Sequence, residues 1–278
     1  MKTAAKLDKV TKNFGTFRLD NVTVEVPGGT ILGLIGENGA GKTTAIKCLL
    51  GILKLDGGEV TLPPGGLADV GYVPDECPFP DALRVRQVGE SLAGMFSGWD
   101  RELFGEYLRK FDLPGEKKVK ELSRGMKMKL SIAAALSHRP KLLVLDEATS
   151  GLDPVVRDEM LDEFLAFLSD EEHAILLSSH ITSDLEKVCD YVTYLHHGRV
   201  TVSGAKDELL ETYGKLSCAK ADLEGIDPSL IVGVRTGEYG CQVLVNDRAA
   251  LERAHPGLPL EKPCLEDIMI FTTRGEKG

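Results

Sequence analysis

The chain has 278 residues, 42% of them hydrophobic and 27% charged, an ordinary globular balance with room for one large domain and a small appendage. Its 43 acidic against 33 basic side chains leave a formal charge of −10, which argues against the basic surface that non-specific nucleic-acid or anionic-lipid binding needs; no nucleic-acid partner is expected. Six scattered cysteines without a C-x-x-C pair suggest neither a zinc site nor a disulfide framework and point to a reducing compartment.

The N-terminal stretch Met1–Lys6 lacks the apolar core of a signal peptide. Alternating apolar and polar residues over Ala5–Phe14 and Phe17–Val26, punctuated by Gly15 and by Pro27-Gly28-Gly29, predict antiparallel strands. The continuous apolar run Ile31–Ile35 suits a strand buried on both faces. A helix is expected from about Lys42 to Leu50, closed by Gly51. From about Glu76 to Arg139 the pattern turns helical: Leu103, Tyr107, Leu108 and Phe111 share one face, Pro114-Gly115 ends that helix, and another begins near Ser123. Leu142–Leu145 is a second buried strand. Asp153-Pro154 reads as an N-cap with proline at N1, opening a helix with Val156, Met160 and Phe164 on its face. Ala174–Leu177 is a third strand, ending at Ser178-Ser179-His180. Alternation of this kind implies a parallel sheet with crossover helices. Beyond about Ala205 come short helical stretches at Lys206–Tyr213 and Arg248–Ala254 and a strand-like Cys241–Val245. The apolar runs are strand-sized and far short of a bilayer span, so a role at a membrane would require docking on a partner.

Gly36-Glu37-Asn38-Gly39-Ala40-Gly41-Lys42-Thr43 matches G-x-x-x-x-G-K-[ST] between a strand and a helix, with Thr44 following. Glycines let backbone N–H groups turn inward around a polyphosphate, and the helix N-terminus adds favourable partial charge. Lys42 should reach the β- and γ-phosphates and the Thr43 hydroxyl should ligate Mg²⁺, so the expected ligands are ATP and Mg²⁺. Asp146 and Glu147 end the strand Leu142–Leu145, at the sheet edge where open α/β folds bind ligands. Asp146 is expected to hold Mg²⁺ and Glu147 to accept a proton from the attacking water.

Leu122-Ser123-Arg124-Gly125-Met126 resembles the LSGGQ signature of ABC nucleotide-binding subunits, Ser150-Gly151-Leu152-Asp153 their D-loop and His180 their switch histidine. Phe14 stands where that family stacks a ring on adenine, and Asp75, after Gly71-Tyr72-Val73-Pro74, stands at the Q-loop position. The order of these motifs fits an ABC nucleotide-binding domain over about Ala5 to Gly204. The resemblance implies an α/β fold: a P-loop NTPase core with a mostly parallel sheet, an N-terminal antiparallel β subdomain and an inserted α-helical subdomain at about 76–139. A nucleotide-binding domain at 1–205 would precede a small mixed accessory region at 206–278. It implies catalytic roles for Lys42, Glu147 and His180, contacts to ATP through Phe14, Asp75, Ser123, Gly125 and Asp153, and Asp75 near the metal. It also implies a second ATP-binding subunit, an integral membrane permease subunit, and a peripheral place on the cytoplasmic face of the cell membrane. The wording Leu122–Lys129, with Phe96-Ser97-Gly98-Trp99-Asp100 upstream, is similar to bacterial exporters of the ABC-2 type.

The chain departs from the family where Asp75 replaces glutamine, Arg124 and Met126 replace glycine and glutamine, and Ala148 replaces proline. Ser123, Gly125, Asp146, Glu147 and His180 remain, which implies that hydrolysis is kept. Two alternatives stay open. A soluble ABC ATPase acting on ribosomes or DNA typically carries paired ATP-binding halves, long coiled coils or zinc cysteines. A regulatory partner would act only as half of a heterodimer. A P-loop GTPase would need an N-K-x-D motif, which the chain lacks.

Overall fold

The computed structural model describes residues 2–219, 223, 225–237 and 240–274. Its strands and helices in chain order are β1 (Thr3–Asn13), β2 (Arg18–Pro27), β3 (Ile31–Ile35), α1 (Lys42–Leu49), β4 (Gly57–Thr61), β5 (Val70–Val73), α2 (Val85–Leu92), α3 (Arg101–Lys110) and α4 (Arg124–Leu136). Then follow β6 (Leu142–Asp146), α5 (Pro154–Phe167), β7 (Ala174–Ser179), α6 (Thr182–Val188), β8 (Tyr191–His196), β9 (Arg199–Ala205) and α7 (Lys206–Thr212). The C-terminal part holds β10 (Gly214–Cys218), β11 (Ile231–Thr236), β12 (Cys241–Val245), α8 (Arg248–Ala254), β13 (Leu260–Glu261) and α9 (Leu265–Arg274).

The central sheet has the order β5-β6-β7-β3-β8-β9, parallel except for the antiparallel edge strand β9. Every residue of β3, β6 and β7 is buried, as strands covered on both faces must be. Such strands leave only their C-terminal ends for polar chemistry, and there the chain places Gly36, Asp146 with Glu147, and Ser178 with Ser179. β1, β2 and β4 form the antiparallel sheet, in which β2 alternates between core and solvent as its sequence pattern requires.

Several helices are entered through side-chain caps. Asp100 accepts from the Leu103 amide at 2.9 Å, Ser123 from Met126 at 3.2 Å, and Asp153 from Val155 and Val156 at 3.2 and 3.1 Å, with Pro154 at the first helical position. Gly51, at φ +67°, follows the C-cap of α1 in the left-handed region that a side chain would disfavour.

The C-terminal sheet, order β11-β12-β10-β13, has its own small core of Leu216, Ile226, Val234, Val243, Val245 and Leu251. The helix α9 does not belong to that core. Leu265, Ile268 and Phe271 pack into the main core beside Leu185, Val188 and Tyr194. Glu186 of α6 accepts a hydrogen bond from the Leu265 amide at 2.5 Å, capping α9 from outside the C-terminal sheet, and the Tyr194 hydroxyl donates to the Leu265 carbonyl. No helix among the described residues is long and apolar enough to cross a membrane.

Candidate ATP site

The phosphate loop is shaped by what its glycines touch. A Cβ at Gly36 would lie 2.4 Å from the Leu195 carbonyl oxygen, so β8 passes too close for any other residue. Gly41 has φ +110°, and a Cβ there would meet Phe17 and Leu19 at 2.8 Å. The loop is also tied to the β8–β9 turn, where the Gly198 amide donates to the Ala40 carbonyl at 2.9 Å. It opens on a cleft of about 460 Å³ lined by Phe17, Glu37, Asn38, Gly39, Gly41, Lys42, Thr43, Thr44, Asp75 and Glu147.

Lys42 is buried, and its ammonium donates to the carbonyls of Gly36 at 2.6 Å and Glu37 at 3.3 Å. Glu147 Oε1 lies 3.0 Å from Lys42 Nζ, an ionic approach rather than a directed bond, since this oxygen has no aligned hydrogen-bond donor. The other oxygen, Oε2, lies 2.7 Å from Nδ1 of His180. Lys42, Glu147 and His180 are therefore one contiguous chain of polar groups at the cleft. Glu147 adopts φ +54°, a left-handed conformation that costs a side chain about 1–2 kcal/mol and that its neighbours must hold. Its amide donates to both the carbonyl and the hydroxyl of Ser178, each at 3.1 Å. Asp146 is 2% exposed and accepts from the Ser178 hydroxyl at 2.7 Å.

Asp75 also lines the cleft, and its carboxyl is raised above the ordinary aspartate value. Partial burial is the chief cause even though the side chain is half exposed; Arg124 opposes it, while Glu147 and Asp146 add to it. The nearby Tyr72 phenol is pushed up to about 12, first by burial and then by Asp146 and Asp75. Arg124 reaches Asp75 at 3.7 Å and fills the space above Gly151, where a Cβ would meet its guanidinium at 2.6 Å. One side chain at the start of α4 thus reaches both Asp75 and Gly151. Arg157 joins the D-loop to α6, donating to the Leu152 carbonyl at 3.1 Å and lying 3.7 Å from the buried Asp184.

The sequence-predicted residues divide accordingly. Glu37, Asn38, Gly39, Gly41, Lys42, Thr43, Thr44, Asp75 and Glu147 line the cleft, His180 joins them through Glu147, and Asp146 lies buried behind, bonded to Ser178. Ser123 and Asp153 are exposed helix caps in this single chain, and neither they nor Gly125 line the cleft. The aromatic lining is Phe17. Phe14 stands 48% exposed, its ring centroid 6.5 Å from that of Phe17, with the Lys12 ammonium 5.6 Å above it. Sequence reading passed over Phe17 because it fell in an alternating strand pattern; the signal was a second aromatic three residues after Phe14. Ser178 was also missed, since a serine ending a strand has no motif of its own. Replacing Phe17 with Ala is expected to weaken ATP binding by about tenfold, the worth of one base–aromatic stack. The same change at Phe14 should have less effect, and titration of both variants with ATP compares them.

The chain matches the family described as ABC transporter over residues 19–150. That span takes in the phosphate loop, signature, Asp146 and Glu147 but stops short of His180. An uncharacterised ABC transporter ATP-binding protein of Bacillus subtilis, YhaQ, is 34% identical over 75% of this chain and 74% of its own length. The Nod factor export ATP-binding protein I of a Rhizobium species is 33% identical over 99% of this chain and 98% of its own. Among solved structures, an ATP-binding subunit of an ABC transporter superposes with a TM-score of 0.68 at 28% identity, covering 75% of this chain and 92% of that one. With a phosphate loop, an acidic strand end and a histidine in mutual contact, and with relatives spanning nearly its whole length, this chain belongs to the ATP-hydrolysing, ATP-binding subunits of ABC transporters.

Proposed function

We propose that this subunit closes on Mg·ATP together with a second ATP-binding subunit and drives export through a separate permease, acting at the cytoplasmic face of the cell membrane. The observation that carries the reading is the contact chain Lys42–Glu147–His180 beside the phosphate loop. The export direction rests on likeness to the Nod factor export protein.

The donor set fits Mg²⁺. Among the described residues no group of three or more His, Cys, Asp and Glu side chains could hold a metal. Mg²⁺ commonly uses one or two carboxylates and the phosphates of its substrate, so Thr43 and Asp146 would hold it, with Asp75 as a further carboxylate on the cleft. Bound there, it would neutralise charge on the β- and γ-oxygens. The chain's own residues supply the rest. Loop amides and Lys42 bind the phosphates, Glu147 takes the proton of the attacking water, and His180 orients Glu147 through the 2.7 Å contact. Ser123 and Gly125, exposed or half-buried at the start of α4, would serve the ATP of the facing subunit. A groove of about 760 Å³ beside Asp75, lined also by Glu76, Phe79, Arg124, Lys127 and Met128, suits a segment of the permease.

Turnover of the purified protein measured against its concentration tests this. The specific activity should rise with concentration, because each site needs a second subunit, and Lys42→Ala should bind ATP poorly. Activity strictly proportional to concentration would overturn the shared site. A second reading, that the chain works only beside a different ATP-binding subunit, is favoured by the hold of Arg124 on Asp75 and Gly151. It is the one supported if ATP binds but turnover appears only when that subunit is added.

A further inference from the structure

We infer that Ser178 is a positioning residue for metal-assisted ATP hydrolysis, holding Asp146 and Glu147 in register with one hydroxyl. The inference rests on the roles proposed above for those two carboxylates.

Its basis is strand register. β7 lies between β3 and β6, and its Ser178 pairs with Leu34 on one side and Asp146 on the other. The strand preceding the phosphate loop and the strand bearing the acidic pair thus meet at this serine, which is 0% exposed. A hydroxyl has one proton to give and lone pairs to receive. Ser178 Oγ donates to Asp146 Oδ1 at 2.7 Å and accepts from the Glu147 amide at 3.1 Å. The first bond fixes the rotation of a buried carboxylate. The second, together with the Ser178 carbonyl at 3.1 Å, holds the backbone of Glu147 at φ +54°, which directs its side chain toward Lys42 and His180. Two residues on, the same strand delivers His180. Alanine would keep the strand and its burial but free the carboxylate and loosen the turn.

Groups that orient a metal ligand commonly cost 10- to 100-fold in metal affinity or activity when removed. Ser178→Ala should therefore weaken Mg·ATP binding about tenfold and lower kcat by at least as much. Titration calorimetry with ATP in EDTA should show metal-free affinity within about twofold of wild type, and the thermal midpoint should fall by a few degrees, as the loss of a buried hydrogen bond requires. Ser178→Thr, which retains the hydroxyl, should recover most of the loss. In an Asp146→Asn background, Ser178→Ala should weaken Mg·ATP binding no further, since coupled residues are non-additive. Should Ser178→Ala fail to fold, Ser178→Cys, with a weaker donor, carries the same comparisons.

Unchanged Mg·ATP affinity and kcat in Ser178→Ala, beside a damaged Asp146→Asn, overturn the role of Ser178 alone. An equal loss of metal-free ATP binding also overturns it, marking the serine as merely structural. Asp146→Asn with full magnesium dependence would instead overturn the metal reading on which this role depends.

Discussion

Glu147→Gln is expected to lower maximal ATP turnover about 10²-fold or more while leaving ATP binding intact. The amide keeps the size of the side chain but cannot accept the proton of the attacking water. It also removes the negative charge 3.0 Å from Lys42 Nζ, so the lysine loses a competitor for phosphate oxygens rather than a support. The variant should consequently accumulate an ATP-stabilised dimer, seen as a shift in gel filtration on adding Mg·ATP, while phosphate release in the same samples nearly stops. Near wild-type turnover would move the proton acceptor elsewhere on the cleft, with Asp75 the first candidate because its side chain also lines it.

The second large effect concerns stability. Phe271 is 2% exposed and sits in the main core beside Leu185 and Val188, although it belongs to the last described helix. Phe271→Ala should cost about 3–5 kcal/mol, the usual price of removing a buried aromatic ring. Urea unfolding followed by the fluorescence of the single tryptophan, Trp99, reads the loss at a distance, because Trp99 lies in the helical region. A lowered midpoint at Trp99 means that α9 is part of the structure carrying the ATP site. An unchanged midpoint would mean that the C-terminal region unfolds by itself.

The parts of this molecule that were legible in the sequence are those whose chemistry is local. The phosphate loop needs its glycines within eight consecutive residues, and Asp153-Pro154 announces the start of α5 within two. Continuous apolar runs marked β3 and β6, and Ala174–Leu177 marked most of β7, because a short strand buried on both faces needs no polar alternation. Other strands were not. β4 reads Gly57-Gly58-Glu59-Val60-Thr61, glycine-rich and without a buried position, and β5 is four residues long. β8 and β9, between His180 and Lys206, went unread as well. The site divides along the same line. Lys42, Asp146 and Glu147 carry their signal in neighbouring residues, whereas Ser178 gains its role only when β7 is laid against β6, 32 positions away from the carboxylate it bonds. Phe17 lines the cleft only because the phosphate loop folds against it. The accessory region at 206–278, separate in sequence character, gives up α9 to the main core for reasons of packing that no local pattern carries.

The capping of α9 by Glu186 bears on how the chain is made. The two partners are 79 residues apart, and Tyr194 waits 71 residues for the carbonyl it bonds. At a synthesis rate of roughly 5–20 residues per second, the apolar surface of Leu185 and Val188 stays bare on the nascent chain for on the order of ten seconds before α9 can cover it. The ATP site's own loops are complete well before that moment. Nucleotide held by the emerging phosphate loop, or a chaperone on the uncovered face, would have that interval in which to act on a half-sealed domain.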